Sequence, residues 1–232
     1  MKKIVIILLL SIFAISCKLF YYTMPRSFKN RLLQEFTFTF DGKDTGIDAL
    51  INIDGYYVVK RFWVNDSSYG FSHLMFFRDG MFAQDRAFHA NSKRDVPDFF
   101  HDIYRDDRRS LGFHLYERTI WGRYKIFGDT IKVQYVERPI LHSQGSPWFA
   151  MEVWYKAIDR NTILEIFSKP IGLCDRERRH FYNARKRYPI TPLPSTFVPT
   201  DRIPCSESWI KRERWFWNNE DNWREYMRFL KK

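Results

Sequence analysis

Trp121-Gly122-Arg123-Tyr124-Lys125-Ile126-Phe127-Gly128-Asp129-Thr130-Ile131-Lys132-Val133-Gln134-Tyr135-Val136-Glu137 is the stretch that decides the fold class. Gly128-Asp129 lies at its centre, and a two-residue loop led by glycine suits a type II′ hairpin turn. Folding there sets Ile126 against Ile131, Tyr124 against Val133 and Gly122 against Tyr135. Lys125 and Arg123 then oppose Lys132 and Gln134. One face is apolar and the other polar, as a half-buried antiparallel pair requires. A one-residue slip would set apolar against polar.

The flanking segments read the same way. Trp148–Ser168 folds around a four-residue turn, Asp159-Arg160-Asn161-Thr162. That turn puts Tyr155 opposite Ile166, Ala157 opposite Leu164 and Lys156 opposite Glu165. His73–Phe88 turns at Asp79-Gly80, with Phe77 opposite Phe82. Gly55-Tyr56-Tyr57-Val58-Val59 opens the series as a strand. The expectation is a mainly β chain, an antiparallel meander or barrel over residues 45–169.

Helices frame this body. Ser27 is expected to cap a short helix, Phe28–Phe36, with Phe28, Leu32, Leu33 and Phe36 on one face. Thr37–Phe40 then alternates in the extended manner. Asp95–Tyr104 reads as a short helix in a polar connection, either a lid or a plug over a sheet edge. After Pro170 the composition changes. Asp175 should cap a basic helix over Arg176–Arg187, and Pro189, Pro192, Pro194, Pro199 and Pro204 mark an extended strap. A last helix is capped by Asn218 or Asn219, and Trp223, Tyr226, Met227 and Leu230 form its docking stripe. Residues 170–232 thus read as an extension outside the barrel, and residues 17–44 as an arm before it.

Residues 1–16 have a different character. Lys2 and Lys3 precede an apolar run from Ile4 to Ile15, broken only by Ser11. A basic start and a short apolar stretch make a secretory signal. Ala14-Ile15-Ser16-Cys17 resembles the lipobox of bacterial lipoproteins. The resemblance implies thioether diacylglycerol on Cys17, cleavage before it and a further acyl chain on the new amine. The other reading is an uncleaved anchor, but Lys18 interrupts the run short of the ~20 residues a spanning helix needs. Several acyl chains hold a protein to a bilayer durably. Lys18 in place of aspartate resembles the pattern of outer-membrane sorting, so the expected site is the cell envelope, on the periplasmic side of the outer membrane.

The formal charge is +11. It is either a solvated basic surface or an attraction to anionic lipid or cell-wall polymer; nucleic acid is not the partner expected in an exported setting. Cys174 and Cys205 remain after lipidation and form a disulfide candidate for an oxidising compartment, worth ~3–4 kcal/mol for such a loop. The alternative is two independent buried thiols. None of His73, His89, His101, His114, His142 and His180 has a partner at zinc spacing, and HExxH, CxxC, GxSxG and P-loop patterns are missing from the sequence. Neither an enzyme nor a cofactor is therefore expected.

Aromatic and basic residues crowd the end of the chain: Trp209, Lys211, Arg212, Arg214, Trp215 and Trp217. Three readings stand side by side. The cluster suits a membrane interface, a saccharide or envelope-protein platform, or rings that pack the strap onto the barrel.

Gly55-Tyr56-Tyr57 sits where lipocalin-type (calycin) barrels open their first strand with Gly-x-Trp. With the hairpin series and the N-terminal helix, residues 45–168 resemble that family, although tyrosine replaces its tryptophan. The resemblance implies an up-and-down barrel and a cavity for a small hydrophobic ligand. The function expected is that of a non-catalytic envelope component, with a lipocalin-like binder of a hydrophobic molecule or lipid as the alternative.

Overall fold

The computed structural model describes residues 24–63, 68–84, 88–89, 119–137, 148–200, 206 and 208–230. Cys17, Cys205 and the expected helix Asp95–Tyr104 lie outside the described residues.

The body is an eight-stranded antiparallel barrel. Its strands are β1 (Gly55–Trp63), β2 (Ser68–Phe76), β3 (Met81–Gln84), β5 (Ile120–Phe127), β6 (Thr130–Glu137), β7 (Phe149–Asp159), β8 (Thr162–Ile171) and β10 (Ser195–Pro199), in that spatial order. β10 returns to β1 and β1 pairs with β2, which closes the circuit. β4 (Phe88–His89) and β9 (Ile190–Pro192) are short additions to β2 and β1.

The β5–β6 pair has the register read from the sequence, with Ile126 on Ile131, Tyr124 on Val133 and Gly122 on Tyr135. Gly128 turns at φ +62°. Two other hairpins differ by one residue. In β2–β3, Phe76 faces Phe82, because Phe77 belongs to the turn and its amide donates to the Met81 carbonyl at 3.0 Å. In β7–β8 the turn is tighter than expected, and register shifts fall at Trp154/Tyr155 and Ala157/Asp159. An extra residue in one strand resets the in–out alternation beyond it. Tyr155 therefore faces Glu165 rather than Ile166.

The largest difference concerns the C-terminal strap. The segment placed outside the barrel supplies its eighth strand: Ser195 and Thr196 pair with Ile163 and Thr162, and Thr196–Pro199 pair with Val58–Gly55. Pro194 and Pro199 bound this strand at its ends, where a missing N–H is tolerated. Gly55 accommodates the closure, since a Cβ there would lie 2.1 Å from the Val198 oxygen.

Alternation along the strands builds two cores. Tyr57, Val59, Leu74, Phe76, Phe82, Tyr124, Ile131, Val133, Val153, Tyr155 and Ile163 fill the lumen, and Ile47, Ile51 and Ile53 close the end nearest the hairpin turns. Outside, Met75, Met81, Trp121, Val136, Ala150 and Ile171 are covered by α1 (Arg26–Glu35) and by the segment Trp209–Trp217. The outward face of β5–β6 is therefore not uniformly solvated: Arg123 and Gln134 are buried. The Gln134 side chain accepts from the Thr37 and Phe38 amides and donates to the Glu35 carbonyl, pinning the arm across the sheet.

α1 starts two residues earlier than expected and follows Pro25, with no side-chain cap from Ser27. Its Phe28, Leu32 and Phe36 are buried, while Leu33 is exposed. α2 (Asp175–Arg187) is capped by Cys174 rather than Asp175. α3 (Glu220–Phe229) is capped by Asn219, whose side chain accepts from the Asp221 amide at 2.7 Å.

Candidate interaction surface

Cys174, the described member of the disulfide candidate, is a half-buried free thiol at the start of α2. Its sulfur accepts from the Glu177 amide, and its own amide donates to Glu177 Oε2 at 2.8 Å. That backbone hydrogen bond lowers the Glu177 pKa most, ahead of the opposing effect of burial. Pairing with Cys205 remains an expectation for the oxidised protein.

The aromatic-basic tail does not form one exposed platform. Trp209, Lys211 and Trp217 are buried, Trp215 is half-buried, and only Arg212 and Arg214 are exposed. Trp209 meets Trp148 edge-on at 5.8 Å, and Trp217 packs edge-on against Phe40 at 4.8 Å. Trp217 Nε1 donates to the Lys211 carbonyl at 2.6 Å. Arg214 pairs with Glu220 at 3.6 Å and Trp215 Nε1 donates to Glu213. The expected contact surface is thereby corrected to a clasp, because these rings bury more area against the barrel than solvent would allow them to keep.

Two buried cations hold the clasp. Lys211 Nζ sits 3.1 Å from Asp79 Oδ2, 2.9 Å from Ser206 Oγ and 4.8 Å above the Phe40 ring. Arg123 Nη2 sits 3.1 Å from Asp41 Oδ1, with its guanidinium 5.6 Å from the same ring. Burial lowers the Arg123 pKa and is the larger effect; Asp41 opposes it. Arg123 comes from β5 and Lys211 from the tail, so the Phe40 ring of the arm meets cations from two distant parts of the chain.

The lumen offers less than the lipocalin resemblance implies. Phe76 stands at the centre of a ring cluster with Tyr57, Phe82, Tyr124 and Tyr155, at centroid distances of 5.4–6.3 Å. Tyr57 Oη donates to the Asn52 and Arg160 carbonyls, and Tyr124 Oη to that of Phe77. Towards the other end the wall turns polar, with Ser72, Gln84, Glu165 and Ser195 all buried.

An exposed face remains, and the sequence reading missed it. Lys125 pairs with Lys132, Lys132 with Trp154 and Trp154 with Phe167, one row across four adjacent strands. Lys132 Nζ lies 3.9 Å from the Trp154 ring and 4.5 Å from that of Phe127. The signal was present only as the polar side of one hairpin. Its continuation depends on the β6–β7 pairing, which joins two separate hairpins. Among the described residues no group of His, Cys, Asp and Glu could hold a metal ion, and no helix is long and apolar enough to cross a membrane.

No family model, no curated protein and no solved structure matches the chain.

Proposed function

We propose that the protein is a non-catalytic component of the cell envelope, held to a membrane by lipid on Cys17, with a solid lipocalin-like barrel that works through its surface. The observation that carries this reading is the filled lumen: Phe76 and Tyr155 meet across the barrel at 6.3 Å. An eight-stranded barrel is just wide enough either to be filled by side chains or to hold one ligand, and here rings occupy that width.

The alternative, a binder of a small hydrophobic molecule or lipid, gains little support. Beside its rings the buried lumen wall carries aliphatic side chains but also Ser72, Gln84, Glu165 and Ser195, polar groups that an apolar guest would leave without water. The reading therefore favours envelope proteins, anionic lipid or cell-wall polymer as partners, met at the outer surface.

Intact mass of the protein extracted from membranes tests the tether. The expected product begins at Cys17 and carries diacylglycerol and an additional acyl chain, and globomycin accumulates a heavier precursor. Native mass spectrometry should find no co-purified lipid inside the barrel. An unacylated product that retains Met1 overturns the proposal.

A further inference from the structure

Resting on the tethered reading above, we propose that the outer face of β5–β8 lies against the anionic bilayer to which Cys17 is attached. The face has the composition of a membrane interface. Phe127, Ile158, Ile166 and Phe167 on these hairpins are 42–54% exposed, although the barrel has covered other large rings. Trp154 is half-buried beside them, packed at 4.8 Å against Phe167. Lysines surround the rings: Lys125 and Lys132 in the central row, Lys156 towards the turns and Lys169 on the other side.

The local charge is positive. Lys156 is paired with Asp129 and Lys169 with Glu152, each at 3.5 Å. No carboxylate among the described residues pairs with Lys125 or Lys132, and each lies over a ring, Phe38 at 5.2 Å and Trp154 at 3.9 Å. Both ammonium groups rest against rings with no described carboxylate beside them, so their charge is left for anionic headgroups. With strands ~4.8 Å apart, the Lys125–Phe167 row spans roughly 15 Å.

The arm brings this face to the membrane. Residues 18–23 alone separate Cys17 from Met24, a reach of at most ~25 Å. α1 adds ~15 Å, and its last carbonyl, that of Glu35, accepts from the Gln134 side chain, two residues from Lys132. Phe38, further along the arm, sits beneath Lys125 and forms one rim of the face. A chain tethered at Cys17 can therefore lay this face on the bilayer, and the opposite charge of anionic lipid supplies attraction.

Acetylation footprinting of the full mature protein tests the proposal. The protein is reconstituted in vesicles of phosphatidylcholine alone or with 30% phosphatidylglycerol, and in separate samples is mixed with purified cell-wall polymer. Lys125 and Lys132 should be labelled several-fold more slowly on the anionic vesicles, with Lys43 and Lys186 unchanged and the protection lost in high salt. The double variant K125E/K132E should still float with vesicles through its lipid, and Lys156, protected several-fold in the parent protein, should return to its labelling rate on phosphatidylcholine alone. Equal labelling on both vesicles, from acylated protein that floats, overturns the docking face and leaves the tether standing. Protection by cell-wall polymer but not by vesicles overturns it in favour of the wall. Protein that lacks the acyl mass and does not float overturns the tether and the docking face together.

Discussion

Phe76 on β2 and Tyr155 on β7 lie with ring centroids 6.3 Å apart and planes at 85°, although their strands are four places apart around an eight-stranded barrel. Two opposite walls thus touch through their side chains. The contact makes the barrel a solid support, and its outer surface becomes the part available to partners.

Phe76→Ala should cost about 3–5 kcal/mol, since it removes the ring that touches Tyr57, Phe82, Tyr124 and Tyr155 together. Urea denaturation measures it. A loss below 1 kcal/mol would mean that the lumen is loosely filled and has room for a guest.

Truncation after Pro170 should destroy the cooperative transition. It removes β10, which closes the sheet between β8 and β1 and covers two unpaired strand edges. Near-UV circular dichroism and dye binding should report an open, sticky sheet. A truncated chain that unfolds as sharply as the whole protein would show that the strap is dispensable.

Lys211→Ala should release the tail. It strands Asp79 and Ser206 and takes a cation from the Phe40 ring, at a cost of roughly 2–3 kcal/mol for a buried pair with one partly exposed partner. Limited proteolysis should then cut between Ser206 and Asn219 before any site in the barrel. Arg212→Ala, at an exposed position, should leave the tail as resistant as before.

Alkaline pH should weaken the barrel through Tyr124 and Tyr57. Burial raises both phenol pKa values above the ordinary value near 10. Below about pH 10 both folded and unfolded phenols are protonated, and their contribution is complete. Above that pH the unfolded chain ionises first, so stability falls as pH rises towards the folded values. The denaturation midpoint should be flat to about pH 9 and then decline. Tyr124→Phe should make the decline shallower; an unchanged slope would exclude Tyr124 as a contributor.

Residues 121–137 determined their own pairing because a hairpin is local: glycine sets the turn, and the alternation of Tyr124, Ile126, Ile131 and Val133 leaves one register that buries them together. The mainly β class and the existence of α2 and α3 were legible for the same reason, since their signals lie within a dozen residues. The tertiary structure alone decided the rest. Glu165 faces the lumen because a register shift in β7–β8 resets alternation, and no propensity marks that position. Trp209, Lys211 and Trp217 read alike as platform or core until Trp148, Asp79 and Phe40 arrived from far away in the chain. Ser195–Pro199 read as strap because a strand's hydrogen-bond partners, here Ile163 and Gly55–Val58, are not written in its own residues. Closure of a sheet is a property of its ends meeting, and only the folded chain brings them together.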